Sequence, residues 1–131
     1  MIRLKSKKDI SGIRDAGAIL AETLNKIKKE LQAGMKTSDI DDIAREYIIS
    51  RKARPACLGY MGYPASICVS VNEEVIHGIP GKRVIREGDI VSCDLCVDLK
   101  GYIADSTVTI PVGKISPQAE KLLKVTEESL Y

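Results

Sequence analysis

The chain has 131 residues, 44% hydrophobic and 29% charged, which suits one globular domain and argues against two full ones. Twenty Lys plus Arg against eighteen Asp plus Glu leave a net charge of +2, too small to make nucleic acid or an anionic membrane the main partner. One histidine, four cysteines and no apolar run of roughly 18 residues exclude a two-histidine helical zinc site, a disulfide scaffold and a membrane span. Tyrosine is the only aromatic, so an aliphatic core is expected. The N-terminal run Met1 to Lys8 is charged with no apolar segment behind it, so no signal peptide is expected and a reduced, cytoplasmic protein is the default.

In chain order, Ile10, Ile13, Gly17, Leu20, Leu24, Ile27 and Leu31 recur at steps of three and four, one stripe of a long amphipathic helix over 8–33. Ser6 and Asp9 have capping-box spacing, and Gly34 is a natural stop. A second helix is expected over 38–51, capped by Thr37 or Ser38, with Ile40, Ile43, Ala44, Tyr47 and Ile48 inward and Arg54-Pro55 limiting its end. The Gly- and Pro-containing segment 55–64 reads as a loop and 66–72 as a strand, while His77-Gly78-Ile79-Pro80-Gly81 reads as a turn. Two strands follow, over 89–99 and 102–112, joined by Lys100-Gly101. Ser116-Pro117 then opens a helix expected to continue to Tyr131 without a stop signal.

The strand pair carries the most chemistry. In the first strand Val91, Cys93, Leu95, Val97 and Leu99 point one way, and Ser92, Asp94, Cys96 and Asp98 the other. A tight turn at Lys100-Gly101 would pair Leu99 with Tyr102, set Asp94 opposite Thr107 and leave Asp105 as its diagonal neighbour on the same face, whereas a three-residue loop without a compensating bulge would flip Asp105 to the other face. Two carboxylates so close repel unless a cation neutralises them or one is protonated. The pair therefore reads either as solvated residues on an open hairpin face or as oxygen ligands for divalent metal. Asp98, near the turn, is expected at the surface. Cys93 and Cys96 lie three apart and face opposite sides of a strand, which argues against a shared metal; Cys93 suits the core and Cys96 the site. Nothing in the spacing requires Cys57 and Cys68 to meet.

His77, followed by Gly78 and close to Pro80, sits at a constrained turn. It faces either water or a site, where an imidazole can donate a hydrogen bond to a reacting carbonyl or shuttle a proton. Tyr60 and Tyr63 share one loop with Cys57 and Met61, reading either as a pocket for an apolar side chain or as a loop packed over the core.

Taken together, Pro55 to Tyr60, Ser70-Val71-Asn72-Glu73 leading to His77-Gly78-Ile79-Pro80, Gly88 to Val91 running into Asp94, and Gly101-Tyr102 running into Asp105 closely resemble the type I methionine aminopeptidases. The match spans nearly the whole chain in order. It implies an α/β (α+β) chain that is the N-terminal half of a pita-bread (creatinase/aminopeptidase) fold, residues 1–131, with an antiparallel sheet and helices on one face. It further implies removal of N-terminal Met from nascent proteins and peptides with a small second residue, using two divalent ions of Co, Mn, Fe or Zn.

By the same resemblance Asp94 is the bidentate metal ligand and Asp105 the bridging one. His77 contacts the substrate near the scissile bond, and Cys57, Tyr60, Tyr63 and Cys68 wall the methionine pocket with it. Met61 stands where the bacterial members often carry a histidine, and Asp105-Ser106-Thr107 exchanges the usual order of the two hydroxyl residues. The family chain is roughly twice as long, and its other metal ligands, one His and two Glu, belong to its second half. The implied chain thus holds half of a metal site and is inactive alone. The implied partners are peptide and nascent-chain N-termini, with the ribosome as their source, and a second copy over the apolar face the other half would cover. An inactive pita-bread relative serving as a binding or assembly module is the alternative, against which Asp94, Asp105 and His77 argue.

Overall fold

The computed structural model describes Ile2 and residues 4–131; Met1 and Arg3, part of the charged N-terminal run, lie outside the described residues. Helix α1 spans Lys7–Glu30 and opens on the expected capping box, in which the Ser6 side chain accepts the Asp9 N–H and Asp9 accepts the Ser6 N–H. Its buried face is Ala16, Ile19, Leu20, Thr23, Leu24 and Ile27. The stripe is thus shifted from the expected one: Ile10 is left exposed, whereas Ile19 and Ala16 are buried because the helix meets the sheet along its middle.

Helix α2 spans Thr37–Ser50 and buries Ile40, Ala44 and Ile48 as its periodicity requires. Its cap differs from expectation. Lys36 is the N-cap residue and Asp39 reaches back to the Lys36 N–H. The Thr37 and Ser38 amides donate to the carbonyls of Arg83 and Gly81, and the Thr37 hydroxyl accepts the Gly81 N–H at 2.9 Å. A loop distant in sequence therefore satisfies the helix terminus that a local hydroxyl was expected to cap.

Four strands follow: β1 (Arg54–Pro55), β2 (Cys68–Val71), β3 (Ile90–Leu99) and β4 (Tyr102–Pro111). All pairs are antiparallel, with β1 and β2 on one side of β3 and β4 on the other. The β3–β4 register is the one the sequence implies, Leu99 opposite Tyr102 and Asp94 opposite Thr107. Lys100 and Gly101 have φ of 55° and 88°, the left-handed pair of a type I′ turn, whose twist matches that of the strands it joins.

One face of the sheet packs against α1 and α2. Val91, Cys93, Leu95 and Val97 are fully buried there with Val69 and Val71 of β2, closing an aliphatic core with Ile27, Ile40 and Ile48. Complete burial of a side chain such as Leu95 contributes about 1.5–3 kcal/mol. Strand β2 is buried on both faces, so the apolar–polar alternation over 66–72 marks a strand but no solvent-facing side.

Helix α3 spans Pro117–Glu128, capped by Ser116, and none of its residues is buried. It closes before the expected Tyr131, with the Ser129 hydroxyl donating to the Thr126 carbonyl at 2.7 Å. Leu122 and Val125 stay exposed along it.

Asp98 is buried, where the sequence points to the surface. Its carboxylate accepts the Gly101 N–H at 2.8 Å and an Arg54 guanidinium N–H at 2.6 Å, tying the hairpin turn to β1. A residue on the strand face opposite the helices becomes buried once β1 and Arg54 pack beside it. Asp98→Ala should cost about 1–3 kcal/mol in urea unfolding, the expense of an orphaned Gly101 N–H. Arg54→Ala should cost a similar amount, about 1–3 kcal/mol, because it leaves the buried Asp98 carboxylate without its cation.

Candidate active site

The sheet face away from the helices carries the polar side chains of β3. Cys68 of β2 is the cross-strand partner of Asp94, Thr107 of β4 flanks Asp94 on its other side, and Asp105 is paired with Cys96. The Thr107 hydroxyl donates to Asp94 at 2.8 Å, fixing that carboxylate on the sheet. Asp94 and Asp105 thus occupy one face as diagonal neighbours, about 7–8 Å apart at the backbone.

Two loops stand over the edge of this face. The first runs from β1 through a 3₁₀ turn at Tyr60–Gly62. The Tyr63 hydroxyl lies 3.1 Å from the carbonyl oxygens of Ile67 and Gly78 and donates its one proton between them, fastening this loop to the second. The second loop, His77 to Gly81, lies along the outer edge of β2. The Val69 N–H donates to the Gly78 carbonyl at 2.9 Å, and the Gly78 N–H donates to the Ser70 hydroxyl at 3.1 Å. A Cβ on Gly78 would lie 2.2 Å from the Val69 carbonyl oxygen, so only glycine fits this approach. His77 has φ of 59°, a left-handed conformation that turns its exposed side chain to the space between the loops.

That space is an open cavity of about 470 Å³. All five residues singled out for the pocket, Cys57, Tyr60, Tyr63, Cys68 and His77, line it. Met61, Gly62, Pro64 and Ile79 complete the wall. Met61 is 90% exposed and stands at the rim. No local pattern marked Ile79 as lining; it follows His77 into the cavity because Gly78 is clamped to β2.

The thiols respond to this setting. Burial pushes Cys68 up, and Cys57, Asp94 and Asp105 add to it, against the Tyr63 hydroxyl, which lowers it. Burial also raises Tyr63, helped by the neighbouring Cys68 thiol. Cys96 is raised by burial and by contacts with Cys57 and Asp105, whereas Cys93, in the core, is pushed up to about 12 by burial alone. Cross-strand pairing with Asp94 places Cys68 at the junction between cavity and aspartate pair. All four cysteines are free thiols.

Two aspartates on neighbouring strands are hard oxygen donors of the type divalent cations take. Among the described residues no three His, Cys, Asp or Glu side chains group to hold an ion by themselves. Asp94 and Asp105 fit a divalent metal as part of its coordination shell, with the remaining positions left to other donors.

Helices over one antiparallel sheet, with paired aspartates beside an apolar cleft, give this chain the mixed α/β architecture of the pita-bread fold. Residues 11–131 match the profile of metallopeptidase family M24, and the chain belongs to that family. It is 49% identical over 131 residues to methionine aminopeptidase 1 of Bacillus subtilis, covering 100% of this chain and 53% of that protein. Against the methionine aminopeptidase of Clostridium perfringens the identity is 47%, again over 100% of this chain and 53% of the relative. The crystal structure of methionine aminopeptidase from Rickettsia prowazekii superposes with a TM-score of 0.95 at 37% identity, covering 98% of this chain and 52% of that one. The chain therefore spans about half the length of the curated relatives it matches. Among the described residues no helix is long and apolar enough to cross a membrane.

One supporting residue carries no signal in the sequence. The half-buried Asp41 of α2 accepts the Ser66 N–H at 2.7 Å and holds the segment entering β2. Burial raises its carboxyl above the ordinary 3.8, outweighing the Ser66 and Ile67 N–H bonds that lower it. The folded chain thus keeps this proton to higher pH than the unfolded chain. Stability from this group is fully present below the ordinary 3.8 and falls as pH rises through the raised folded value. Urea unfolding of Asp41→Asn should lack that decline, so the wild-type curve should drop relative to the variant across this window. Gly78→Ala should cost about 1–3 kcal/mol and speed hydrogen exchange at the Val69 amide, because the added methyl forces the His77 loop off β2.

Proposed function

We propose that this chain carries the methionine pocket and two of the metal-binding carboxylates of a methionine aminopeptidase, which removes N-terminal Met from peptides and nascent proteins with a small second residue. The observation that carries the reading is the placement of a cavity walled by Cys57, Tyr60, Tyr63 and Cys68 directly beside the Asp94–Asp105 face, joined through Cys68. The names and folds of the relatives support the same reaction class.

The cavity has the size and apolar lining to take a thioether side chain and exclude water from it. Tyr63 is held by two carbonyls, so this wall is in place before substrate arrives, and little ordering remains to oppose binding. A methionine seated there presents its α-carbon and first peptide bond toward the aspartate face. His77, turned to the cavity by its left-handed backbone, donates a hydrogen bond to the scissile carbonyl or its amide and supports the charge that develops there. Asp94, oriented by Thr107, and Asp105 would hold the divalent ions, and Mn, Fe, Co and Zn all accept such ligands. When bound, the ions supply Lewis-acid polarisation of the scissile carbonyl.

With two carboxylates only, the isolated chain should bind Mn(II) or Co(II) weakly, since most coordination positions fall to water. Titration calorimetry should show at least about tenfold weaker binding for Asp94→Asn and for Asp105→Asn, with unchanged circular dichroism. The 131-residue chain loaded with Co(II) should release little or no Met from a Met-Ala peptide. Metal binding indifferent to both substitutions would overturn the assignment of the aspartates, and turnover abolished by Asp94→Asn would overturn the expected inactivity of the chain alone.

A further inference from the structure

Five described residues other than glycine hold a left-handed backbone: Lys52, Met61, Asn72, His77 and Lys100. Such φ values are uncommon outside glycine, and asparagine is among the side chains that tolerate them. Met61 and His77 line the cavity beside the aspartates. Lys52 and Lys100 line a second one, an open cleft of about 390 Å³ between the end of α2, β1 and the hairpin turn. Ala53, Arg54, Asp98 and Gly101 complete its wall.

Both lysines stand where another residue type is the rule. The Lys52 N–H donates to the Ile49 carbonyl at 2.9 Å and the Ala53 N–H to the Ile48 carbonyl at 3.2 Å, the helix-ending motif whose left-handed position is usually glycine. Lys100 is the first central residue of the type I′ turn, a place for Asn, Asp or Gly. A cation near a helix C-terminus offsets the helix dipole, which accounts for a charge at Lys52 but not at Lys100. Among the described residues neither lysine has an ion-pair partner. The cleft thus sets three cations, Lys52, Arg54 and Lys100, against the single carboxylate of Asp98. That carboxylate is already committed, to the Gly101 N–H at 2.8 Å and to Arg54 at 2.6 Å. The bond to buried Asp98 holds the Arg54 fork in place and leaves its other N–H groups for a ligand.

We infer that this cleft is an anion site for a phosphate group, carried as free phosphate or as the monoester of a small molecule. The inference does not depend on the peptidase reading, because the cleft shares no residue with the methionine cavity or the aspartate pair. A phosphate monoester carries about −1.5 to −2 charge at pH 7, which matches the surplus of cations over Asp98. The planar guanidinium suits two of its oxygens, and the two ammonium groups act as point charges on the rest. A carboxylate, with one charge and two oxygens, would leave part of that surplus unmatched. Left-handed backbone at two lysines is the local strain that accompanies bringing both charges to one cleft, as it accompanies Met61 and His77 at the other cavity.

The test is a titration of the metal-free full chain with inorganic phosphate and, separately, with adenosine monophosphate, read by amide chemical shifts at an ionic strength held constant with chloride. The largest shifts should fall on Lys52, Arg54, Lys100 and Gly101. Lys52→Asn and Lys100→Asn should each weaken binding at least about fivefold, the loss of one close charge pair in water. Each should also leave the urea midpoint unchanged or raise it, because asparagine suits a left-handed backbone better than lysine does. Arg54 is left intact, since its loss would strand Asp98. Equal affinity for the two ligands would assign the cleft to free phosphate, and tighter binding of adenosine monophosphate to a monoester. Binding that neither substitution weakens, shifts spread over the other lysines, or a response that chloride alone reproduces would each overturn the inference. A lower urea midpoint in both variants would overturn it as well, since the lysines would then serve stability.

Discussion

The two-residue turn at Lys100-Gly101 is the constraint on which the site depends. Side chains alternate faces along a strand, so a register slip of one residue would carry Asp105 to the helix side of β4, away from Asp94. The turn prevents this through positive φ at both central residues, and Asp98 reinforces it by accepting the Gly101 N–H while pairing with Arg54. The same register puts Thr107 beside Asp94 and Cys96 beside Asp105. Backbone geometry at two positions thereby sets the chemistry of a whole sheet face.

The cavity is built differently, from two loops that share fastenings. Tyr63 joins the first loop to the second, Gly78 locks the second onto the edge of β2, and Gly81 bonds the Thr37 hydroxyl at the start of α2. Asp41 of the same helix holds the entry to β2. Helix α2 therefore supports the pocket from beneath, although none of its residues lines it. Residues that bind are on loops, and residues that position them are on regular elements whose burial keeps them still.

Much of this was legible in the residues. The hairpin with its turn and the Ser116-Pro117 helix start follow from patterns within about a dozen residues, whereas the periodicity of α1 marks the helix but not Ala16 and Ile19, which its middle buries against the sheet. The opposed directions of Cys93 and Cys96 follow in the same way. The resemblance to methionine aminopeptidases pointed to five pocket residues whose convergence no periodicity could have shown, because Cys57 and His77 are twenty positions apart in separate loops. Asp98 was misread because its burial comes from Arg54, forty-four residues earlier in the chain. The cap of α2 was misread for a similar reason: its partners at Gly81 and Arg83 are brought in by the fold.

By itself the sequence determined the helices, the strands β2, β3 and β4, the hairpin turn and the resemblance to a metallopeptidase family, because these rest on local dihedral preference, alternation and ordered motifs, whereas β1 falls where the sequence reads as a helix end and a loop and forms only by pairing with β3. Only the tertiary structure decided that β2 is buried on both faces, that Asp98 is internal and that two loops enclose one cavity. Those facts depend on which distant segments the core draws together, and contacts across forty residues leave no trace in local spacing.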